Sequence, residues 1–271
     1  MRFTKGQGTG NDFVILADLD DELKLTPALV SALCDRHTGI GADGVLRVAL
    51  GDGVPWFMDY VNADGSVAEM CGNGIRVFAR YLTDHGLATG PELVIGTRAG
   101  VRVVRWDGDE LFSVDMGPAT VTGAAEVVIA GRRLHGSAVN VGNPHLACLV
   151  TEPLAGFDLS EAPVVDQEQF PAGANVEIVR VVGERSVQMR VSERGSGETM
   201  SCGTGAVAAA VVAADAAGLW PEDGGGVWKV EVPGGVLAVA PGATASTLTG
   251  PAVIVAEGDL DPRWLRAVGA D

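Results

Sequence analysis

The sequence lacks three features that would each define a class of function. Lys and Arg number 19 against 35 Asp and Glu, and the net charge of −16 argues against a nucleic-acid partner because it repels phosphate backbones. The longest nearly uncharged run, residues 206–214, is far shorter than the roughly 20 residues that cross a bilayer. No apolar leader follows Met1. We therefore expect a cytoplasmic protein without a membrane contact.

Cysteine is also scarce, and its spacing does not suggest a metal site. There is no Cys-x-x-Cys pair, and the four histidines are scattered along the chain. We expect no metal, and we expect free thiols rather than disulfides because a chain without a secretory signal stays reduced. For Cys34 and Cys148 the expectation is a buried, inert side chain.

Glycine is abundant, and part of it belongs to an internal repeat. Four short strings recur in the same order, 130–133 residues apart: Gly10-Asn11 with Gly142-Asn143, Gly65-Ser66 with Gly195-Ser196, Cys71-Gly72 with Cys202-Gly203, and Gly117-Pro118-Ala119 with Gly250-Pro251-Ala252. The repeat predicts two similar domains, residues 1–116 and 117–249, with a cleft between them. Residues 250–271 are a tail that returns to one of the two.

Each repeat contains one predicted helix among valine-rich strands. The helices run from Cys71 to about His85 and from Cys202 to about Ala217, and each is followed by a glycine of the kind that ends helices. Strands are predicted within residues 93–106, 111–116, 176–182, 186–191 and 227–239. The predicted fold class is α/β of the α+β type: two pseudo-symmetric domains of mixed β-sheet wrapped around a buried central helix.

Both repeats place a cysteine immediately before the helix, in Cys71-Gly72-Asn73-Gly74 and Cys202-Gly203-Thr204-Gly205. Unpaired amides and the helix dipole favour negative charge at that point. Such thiols can titrate at roughly 3.5 to 7.5 instead of about 8.5. The same amides form an anion site that suits a substrate carboxylate.

Two such thiols predict inversion of a carbon centre. A single base returns the proton to the face from which it came, whereas inversion requires an acid on the opposite face. The two helix starts would stabilise the carbanion-like transition state through the substrate carboxylate, so that no pyridoxal phosphate is needed. Cys71 and Cys202 are therefore predicted to be an acid and base pair that epimerises an amino acid without a cofactor.

At this point the motifs identify a resemblance. They are Gly8–Phe13, Asn62–Ser66, Met70–Arg76, Gly142–His145, Gly173–Val176, and Glu193–Thr199 leading into Cys202–Gly205. Over essentially its full length the chain resembles the diaminopimelate epimerase family. The resemblance implies conversion of LL-2,6-diaminopimelate to the meso isomer, for lysine and peptidoglycan precursors. It also implies a homodimer, and a tail, 250–271, that joins the first domain.

The resemblance further implies a substrate site. Backbone amides would bind the reacting carboxylate at Gly72, Asn73, Gly203 and Thr204. The distal end of the substrate would be held by Asn11, Asn62, Asn143, Asn175 and Arg194. Glu193 and His145 would lie near the thiols and orient the amine or tune protonation. Many relatives have a glutamine where this chain has Gly44, so that contact is missing here.

Other interpretations of the same residues stay open. Asparagine beside glycine is typical of turns, so Asn11 and Asn143 have a structural alternative. Asp12, Asp64 and Arg76 are expected to orient backbone or loops rather than touch substrate. Another two-cysteine racemase, acting on proline or hydroxyproline, would not need the distal set Asn62, Asn175 and Arg194. A dithiol redox protein or an amino-acid binder would keep the helix-start thiols without inverting a centre.

Overall fold

The structure is a computed structural model that describes residues 1–106, 110–221 and 226–269. Its contacts divide the chain into two units. The first comprises Met1–Val114 with Pro251–Asp271, and the second comprises Asp115–Gly250. Among the described residues, no helix is both long enough and apolar enough to cross a membrane.

The first unit is a mixed sheet with three helices. Its strands are β1 (Arg2–Gly8), β2 (Asn11–Ala17), β3 (Gly44–Leu50), β4 (Trp56–Asn62), β5 (Glu92–Thr97), β6 (Gly100–Trp106), β7 (Leu111–Gly117) and β18 (Val253–Asp259). Its helices are α1 (Pro27–Cys34), α2 (Gly72–Asp84) and α4 (Pro262–Ala267). Strand β1 lies between β2 and β18 and is antiparallel to both, so the C-terminal segment completes the sheet at the N-terminal strand.

The sheet continues with β3 parallel to β2, β4 antiparallel to β3 and β5 parallel to β4. Helix α2 packs on β1 and β2. Close approach is possible because β1 carries glycine where it meets the helix: a Cβ at Gly8 would lie 3.2 Å from Nη2 of Arg76. An apolar cluster that includes Leu16, Leu33 and Val45 fills the space around α1.

The second unit is also a mixed sheet with one long helix. Its strands are β8 (Thr120–Ile129), β9 (Arg132–Asn140), β10 (Pro144–Leu149), β11 (Val164–Val165), β12 (Asn175–Gly183), β13 (Ser186–Glu193), β14 (Gly197–Thr199), β15 (Trp228–Val232), β16 (Gly235–Ala240) and β17 (Ser246–Pro251). The helix is α3 (Gly203–Ala216). Strand β10 is parallel to β12, and β12 is antiparallel to β13.

The two faces of β10 and β12 have different neighbours. Leu146, Cys148, Val176 and Ile178 join an apolar cluster with Phe157 and Phe170. The alternate residues, among them His145 and Glu177, belong to the other face because side chains alternate along a strand. Helix α3 packs against both strands. Polar groups are thereby placed next to the first turn of a buried helix.

The predicted fold class is confirmed: the chain is a sheet-dominated α+β protein with two repeated domains. Both predicted helices are present, and residues 206–214 of α3 are all buried. That burial is the reason why the helix is apolar on every side. Two of the predicted strand segments, 93–106 and 227–239, each contain most of a hairpin, β5–β6 and β15–β16.

Candidate active site

The first half-site is the group formed by Thr9, Asn11, Cys71, Gly72 and Asn73, and it lies at the start of α2. Cys71 is the N-cap of the helix, with extended φ and ψ of −134° and 121°. Its Sγ accepts a hydrogen bond from the amide of Gly74 at 3.3 Å and donates one to Oδ1 of Asn11 at 3.5 Å. A cysteine thus occupies the position where a serine or aspartate usually caps a helix. The sulfur is thus both an acceptor, from the Gly74 amide, and a donor, to the Asn11 oxygen.

The hairpin between β1 and β2 positions the rest of this half-site. Thr9 and Gly10 form its two-residue loop with φ of 50° and 83°, the positive values that a tight hairpin turn requires. Asn11 is therefore the first residue of β2. The left-handed turn conformation is adopted by Thr9 and Gly10, not by Asn11. Its Oδ1 accepts from Nδ2 of Asn73 at 3.4 Å, and the Thr9 hydroxyl donates to Oδ1 of Asn73 at 3.3 Å.

Asn11 is held from behind by a cluster of charged residues. Its Nδ2 donates to Asp43 at 2.6 Å, and Arg36 bridges Asp43 and Asp12 at 2.8 Å each. Lys5 lies 2.7 Å from Asp12. Burial alone would raise the pKa of Asp12, but hydrogen bonds and charges from Arg36 and Lys5 outweigh it and lower the pKa to about 2. The cluster fixes the rotamer of Asn11 that presents its oxygen to Cys71.

The second half-site is the group formed by Asn143, His145, Glu193, Cys202, Gly203 and Thr204. Cys202 is the N-cap of α3, with φ and ψ of −122° and 120°. Its Sγ accepts from the amide of Gly205 at 3.4 Å and lies 3.5 Å from the hydroxyl of Thr204. The geometry repeats that of Cys71 almost unchanged. Cys202 is nevertheless buried, whereas Cys71 is partly exposed.

A chain of hydrogen bonds runs from Cys202 into the core of the second unit. Asn143 Nδ2 donates to the Thr204 hydroxyl at 3.4 Å. Asn143 Oδ1 contacts Nε2 of His145 at 2.9 Å, and Nδ1 of His145 contacts Oε1 of Glu177 at 2.7 Å. His145 and Glu177 are both completely buried. The chain therefore links the thiol to a buried ionisable pair.

Buried carboxylates oppose ionisation of Cys202. Burial is the largest cause that raises the pKa of its thiol well above the ordinary value. The negative charges of Glu193 and Glu177 raise it further. Burial also raises the pKa of Glu193, although its hydrogen bonds to Thr199 and Cys202 lower it. The surroundings of Cys202 thus favour the protonated thiol.

The remaining predicted residues lie outside these hydrogen-bond chains. Asn62 ends β4 and donates to the hydroxyl of Ser66 at 3.0 Å. Asn175 begins β12, beside His145, and its Oδ1 accepts from the amide of Arg194 at 3.0 Å. The exposed guanidinium of Arg194 contacts the carbonyl oxygen of Ala172 at 3.3 Å. Four of its N–H groups stay available for a carboxylate.

The position of the missing glutamine is filled by another side chain. A Cβ at Gly44 would lie 2.6 Å from Cε2 of Tyr60 and 2.7 Å from the carbonyl oxygen of Val61. A glutamine would therefore have to displace the buried Tyr60 ring, which packs edge-on against Phe13. The position of the Tyr60 ring therefore requires glycine at position 44.

Sequence reasoning overlooked Glu177 and gave Arg76 only an orienting role. A signal for Glu177 was present, because a glutamate within the run Val176–Val182 is unusual for a buried strand, and it lies two residues after Asn175 on the same face. Arg76 is the largest side chain among the fully buried residues. In the part of the chain that the structure describes, no cluster of three or more His, Cys, Asp or Glu side chains is arranged to hold a metal ion.

The fold is shared with a solved structure of low sequence identity. A probable proline racemase from Agrobacterium radiobacter K84 superposes with a TM-score of 0.70 at 14% identity, over 100% of this chain and 98% of that chain. This similarity shows a common two-domain fold that carries helix-start cysteines here.

Relatives found by sequence are much more similar to this chain than that structure is. The diaminopimelate epimerase family model matches residues 3–122 and 137–255. A diaminopimelate epimerase of Thermobifida fusca is 52% identical over 98% of this chain and 100% of the relative, and one of Mycobacterium bovis is 50% identical over 99% and 100%. The chain belongs to the diaminopimelate epimerase family.

Proposed function

We propose that this protein interconverts LL- and meso-diaminopimelate by moving a proton between Cys71, Cys202 and one α carbon. The observation that carries the proposal is the duplicated cap: each thiol begins a buried helix and accepts the amide of the residue three positions further on. Family membership supplies the substrate, a small-molecule dicarboxylate.

The proposed reaction is balanced without a further reagent. One cysteine, as thiolate, removes the α proton and becomes a thiol. The other cysteine, as thiol, gives its proton to the opposite face of the carbanion and becomes a thiolate. The centre is inverted, and the pair is left ready for the reverse reaction.

Backbone amides near both thiols are the groups that would take the carboxylate. Gly72, Asn73, Gly203 and Thr204 occupy the first turn of α2 or α3, where the amides lack partners within the helix. Charge that develops on the α carbon spreads into this carboxylate, so fixed dipoles aimed at it lower the barrier. The proposal requires no pyridoxal phosphate and no metal.

The distal end of the substrate needs different partners. We assign it to Asn11, Asn62, Asn143, Asn175 and Arg194, as the family motifs imply. Arg194 is exposed, and its guanidinium is suited to a bidentate carboxylate. Asn62 and the Glu193-Arg194 pair have no counterpart in the other repeat, and this asymmetry would let one end of the substrate react while the other is only recognised.

Solvent isotope exchange tests the proposal. Purified protein dialysed free of pyridoxal phosphate is incubated with LL-diaminopimelate in heavy water, and products are followed by NMR and mass spectrometry. We expect one deuterium at one α carbon together with the meso isomer, and no label in L-proline treated in the same way. Label in proline would favour the proline racemase alternative, and inversion without label would end the thiol mechanism.

Cysteine variants separate inversion from binding. Cys71→Ala and Cys202→Ala should each retain binding of LL-diaminopimelate and lose inversion to below a few per cent of the parent rate. Cys34→Ala is the matched control, because Cys34 is a buried thiol in the apolar cluster around α1, and it should retain activity. Turnover that persists in either cap variant would refute the assignment.

Three further expectations complete the proposal: a homodimer, a cytoplasmic location, and domains formed by residues 1–116 with 250–271 and by residues 117–249. Light scattering after size-exclusion chromatography measures the first, with twice the chain mass as the expected result. Fractionation of the source cells tests the second. Expression of residues 117–249 alone, which should give a folded fragment, tests the third.

A further inference from the structure

The side-chain amide of Asn11 lies between the thiol of Cys71 and the carboxylate of Asp43. Its oxygen accepts hydrogen bonds from Sγ of Cys71 at 3.5 Å and from Nδ2 of Asn73 at 3.4 Å. Its nitrogen donates to Oδ2 of Asp43 at 2.6 Å. The oxygen and nitrogen of an amide have nearly the same shape, so the chemistry of the neighbours decides which of them faces the thiol.

Asp43 decides the orientation from the side of the nitrogen. Its Oδ1 pairs with Arg36 at 2.8 Å, and its Oδ2 also accepts the backbone amide of Asp12 at 3.1 Å. A carboxylate that is paired with an arginine offers acceptors only, so it can face the nitrogen of Asn11 but not the oxygen. In the reverse orientation two oxygens would lie 2.6 Å apart with no proton between them.

The oxygen of Asn11 is fixed independently through Asn73. Oδ1 of Asn73 accepts from Nη2 of Arg76 at 2.9 Å and from the Thr9 hydroxyl at 3.3 Å. An arginine has donors only, so the nitrogen of Asn73 must face the oxygen of Asn11. The hydrogen bonds therefore run in one direction, from the buried Arg76 at one end to Asp43 at the other.

This orientation determines which group Cys71 meets. An amide oxygen has two lone pairs, and at Asn11 they are used by Asn73 and by the Cys71 sulfur. The oxygen can accept the proton of a thiol, whereas it would repel the negative charge of a thiolate. The contact with Asn11 therefore favours Cys71 as a thiol that is aligned by its hydrogen bond.

The equivalent asparagine of the second unit is held differently. Asn143, which follows a glycine as Asn11 does, donates from its nitrogen to the Thr204 hydroxyl at 3.4 Å. Its oxygen contacts Nε2 of His145 at 2.9 Å. A histidine can donate or accept, so this amide has two permitted orientations. The carboxylate behind Asn11, in contrast, permits one.

We propose that Asp43 is a positioning residue of the first half-site: by accepting from the nitrogen of Asn11, it keeps the oxygen turned towards Cys71 and the thiol aligned as a donor. This inference rests on the proposed two-thiol function and deepens it, because Cys71 gives a proton to the α carbon in one direction of that reaction. The structural alternative is that Asp43 only balances the charge of Arg36. The test must therefore separate its acceptor oxygens from its charge.

Two variants make that separation. Asp43→Leu removes the charge and both acceptors with little change in volume. Asp43→Asn removes the charge and can keep one oxygen towards Asn11. The matched control is Asp84→Asn, which removes a partly exposed carboxylate that pairs with Arg80 at 2.8 Å, at the other end of α2.

The S–H stretching band in the infrared spectrum reads this hydrogen bond directly, and subtraction of the Cys71→Ala spectrum isolates the band of Cys71. Spectra are recorded without substrate at pH 6, below the free-thiol pKa of about 8.5. In the parent the band should be present and narrow, as for a thiol held in one hydrogen bond. Asp43→Leu should shift and broaden it because Asn11 is released, whereas Asp43→Asn and Asp84→Asn should keep the parent band.

Initial rates with diaminopimelate give the second readout. Asp43→Leu should lower kcat about tenfold or more, and Asp43→Asn should stay within about threefold of the parent, since the conservative variant keeps the acceptor. Asp84→Asn should leave kcat unchanged. Rescue by the variant without charge is a result that a purely charge-balancing role would not give.

A Cys71 band that Asp43→Leu leaves at the parent position would overturn the proposal. Equal changes in Asp43→Leu and Asp43→Asn would overturn it too, because they would assign the effect to charge. Should Asp43→Leu not fold, the absence of a Cys71 band from the parent would overturn it equally, and a narrow band that Asp43→Asn keeps would support it.

The spectra also separate this inference from the proposed function, since they use no substrate. An aligned Cys71 thiol in a protein that does not epimerise diaminopimelate would defeat the function alone. Conversely, isotope exchange in a protein whose Cys71 band does not depend on Asp43 would defeat only the role of Asp43.

Discussion

Nδ1 of His145 lies 2.7 Å from Oε1 of Glu177, and neither side chain has any contact with solvent. The pair arises from adjacent parallel strands, where Glu177 is opposite Ala147, two residues beyond His145 on the same face. Oε2 of Glu177 has no hydrogen-bond partner among the residues that the structure describes. Nε2 of His145 faces the oxygen of Asn143 at 2.9 Å.

Rotation of the Asn143 amide gives a second satisfied arrangement. Its nitrogen would donate to His145, its oxygen would accept the Thr204 hydroxyl, and Thr204 would accept a proton from Cys202. In this second arrangement Cys202 must be the thiol, whereas in the first the Thr204 hydroxyl can either accept from the thiol or donate to a thiolate. The chain can therefore accommodate both ionisation states of Cys202, and the thiol fits both arrangements.

Glu177→Gln should break this link, because the amide has no negative charge beside the His145 ring. We expect kcat to fall about tenfold or more with KM changed less than about threefold, since a positioning residue acts on the chemical step. Initial rates in both directions across pH 6–9 provide the measurement. The titratable groups that face Glu177 are His145, Glu193 and Cys202.

Glu231→Gln is the control for that experiment, because it removes a carboxylate of the same unit that lies at the surface beside Lys229. It should leave both constants and the pH profile unchanged. Nitrogen-15 spectra of the His145 ring supply an independent readout, and the ring signals should change in Glu177→Gln. A parent-like ring in the variant would contradict the role of Glu177.

Gly205→Ala should destabilise the second unit. A Cβ there would lie 2.7 Å from Oε1 of Glu177, and this carboxylate is fixed by His145. The higher helix propensity of alanine, worth about 1 kcal/mol, is offset by overpacking of about 1 to 3 kcal/mol. Urea unfolding measures the balance. At Gly74, the equivalent position, a Cβ would meet only side-chain carbons at 3.3 Å or more.

Gly74→Ala is accordingly the comparison variant. We expect its free energy of unfolding to lie closer to that of the parent than the value for Gly205→Ala. A larger loss at Gly74 would contradict the contact with Glu177 as the cause.

Acid should weaken the first unit through Asp12. Its pKa is about 2 in the folded chain against an ordinary value of 3.8. A lowered pKa means that the folded state binds the proton less readily, so the stabilisation is present above pH 4 and is lost as the pH falls towards 2. It amounts to on the order of 2 kcal/mol.

Asp12→Asn should remove that part of the acid dependence. Urea unfolding between pH 5 and pH 2 measures it, with Asp20→Asn, an exposed carboxylate, as the comparison. If the Asp12 variant kept the full loss of stability between pH 4 and pH 2, the ion pairs with Lys5 and Arg36 would not be its source.

Cys34 and Cys148 should resist alkylation in the folded protein. Burial raises the pKa of each thiol to about 12, and the thiolate is the reactive form. At pH 8 iodoacetamide should modify Cys71 first and these two only after unfolding in urea. Modification of Cys34 or Cys148 as fast as Cys71 would show that their clusters open readily.

The sequence predicted elements with a local signal and missed those that depend on packing. The helices after Cys71 and Cys202 were predictable because glycine follows each and because their composition is strongly patterned. The pairing of Glu177 with His145 required the strand register, which short motifs do not encode. The Tyr60 ring against Gly44 likewise depends on two strands that are adjacent only after folding.

The carbonyl of Pro251 accepts from Arg76, and β18 is paired with β1. The first half-site is encoded in the first third of the chain, yet the buried guanidinium of Arg76 behind it obtains one acceptor from a residue 175 positions further along. During synthesis, α2 must wait for Pro251 to emerge before its cation has this partner. A nascent chain that stops earlier therefore carries Cys71 next to a buried cation that lacks one of its acceptors.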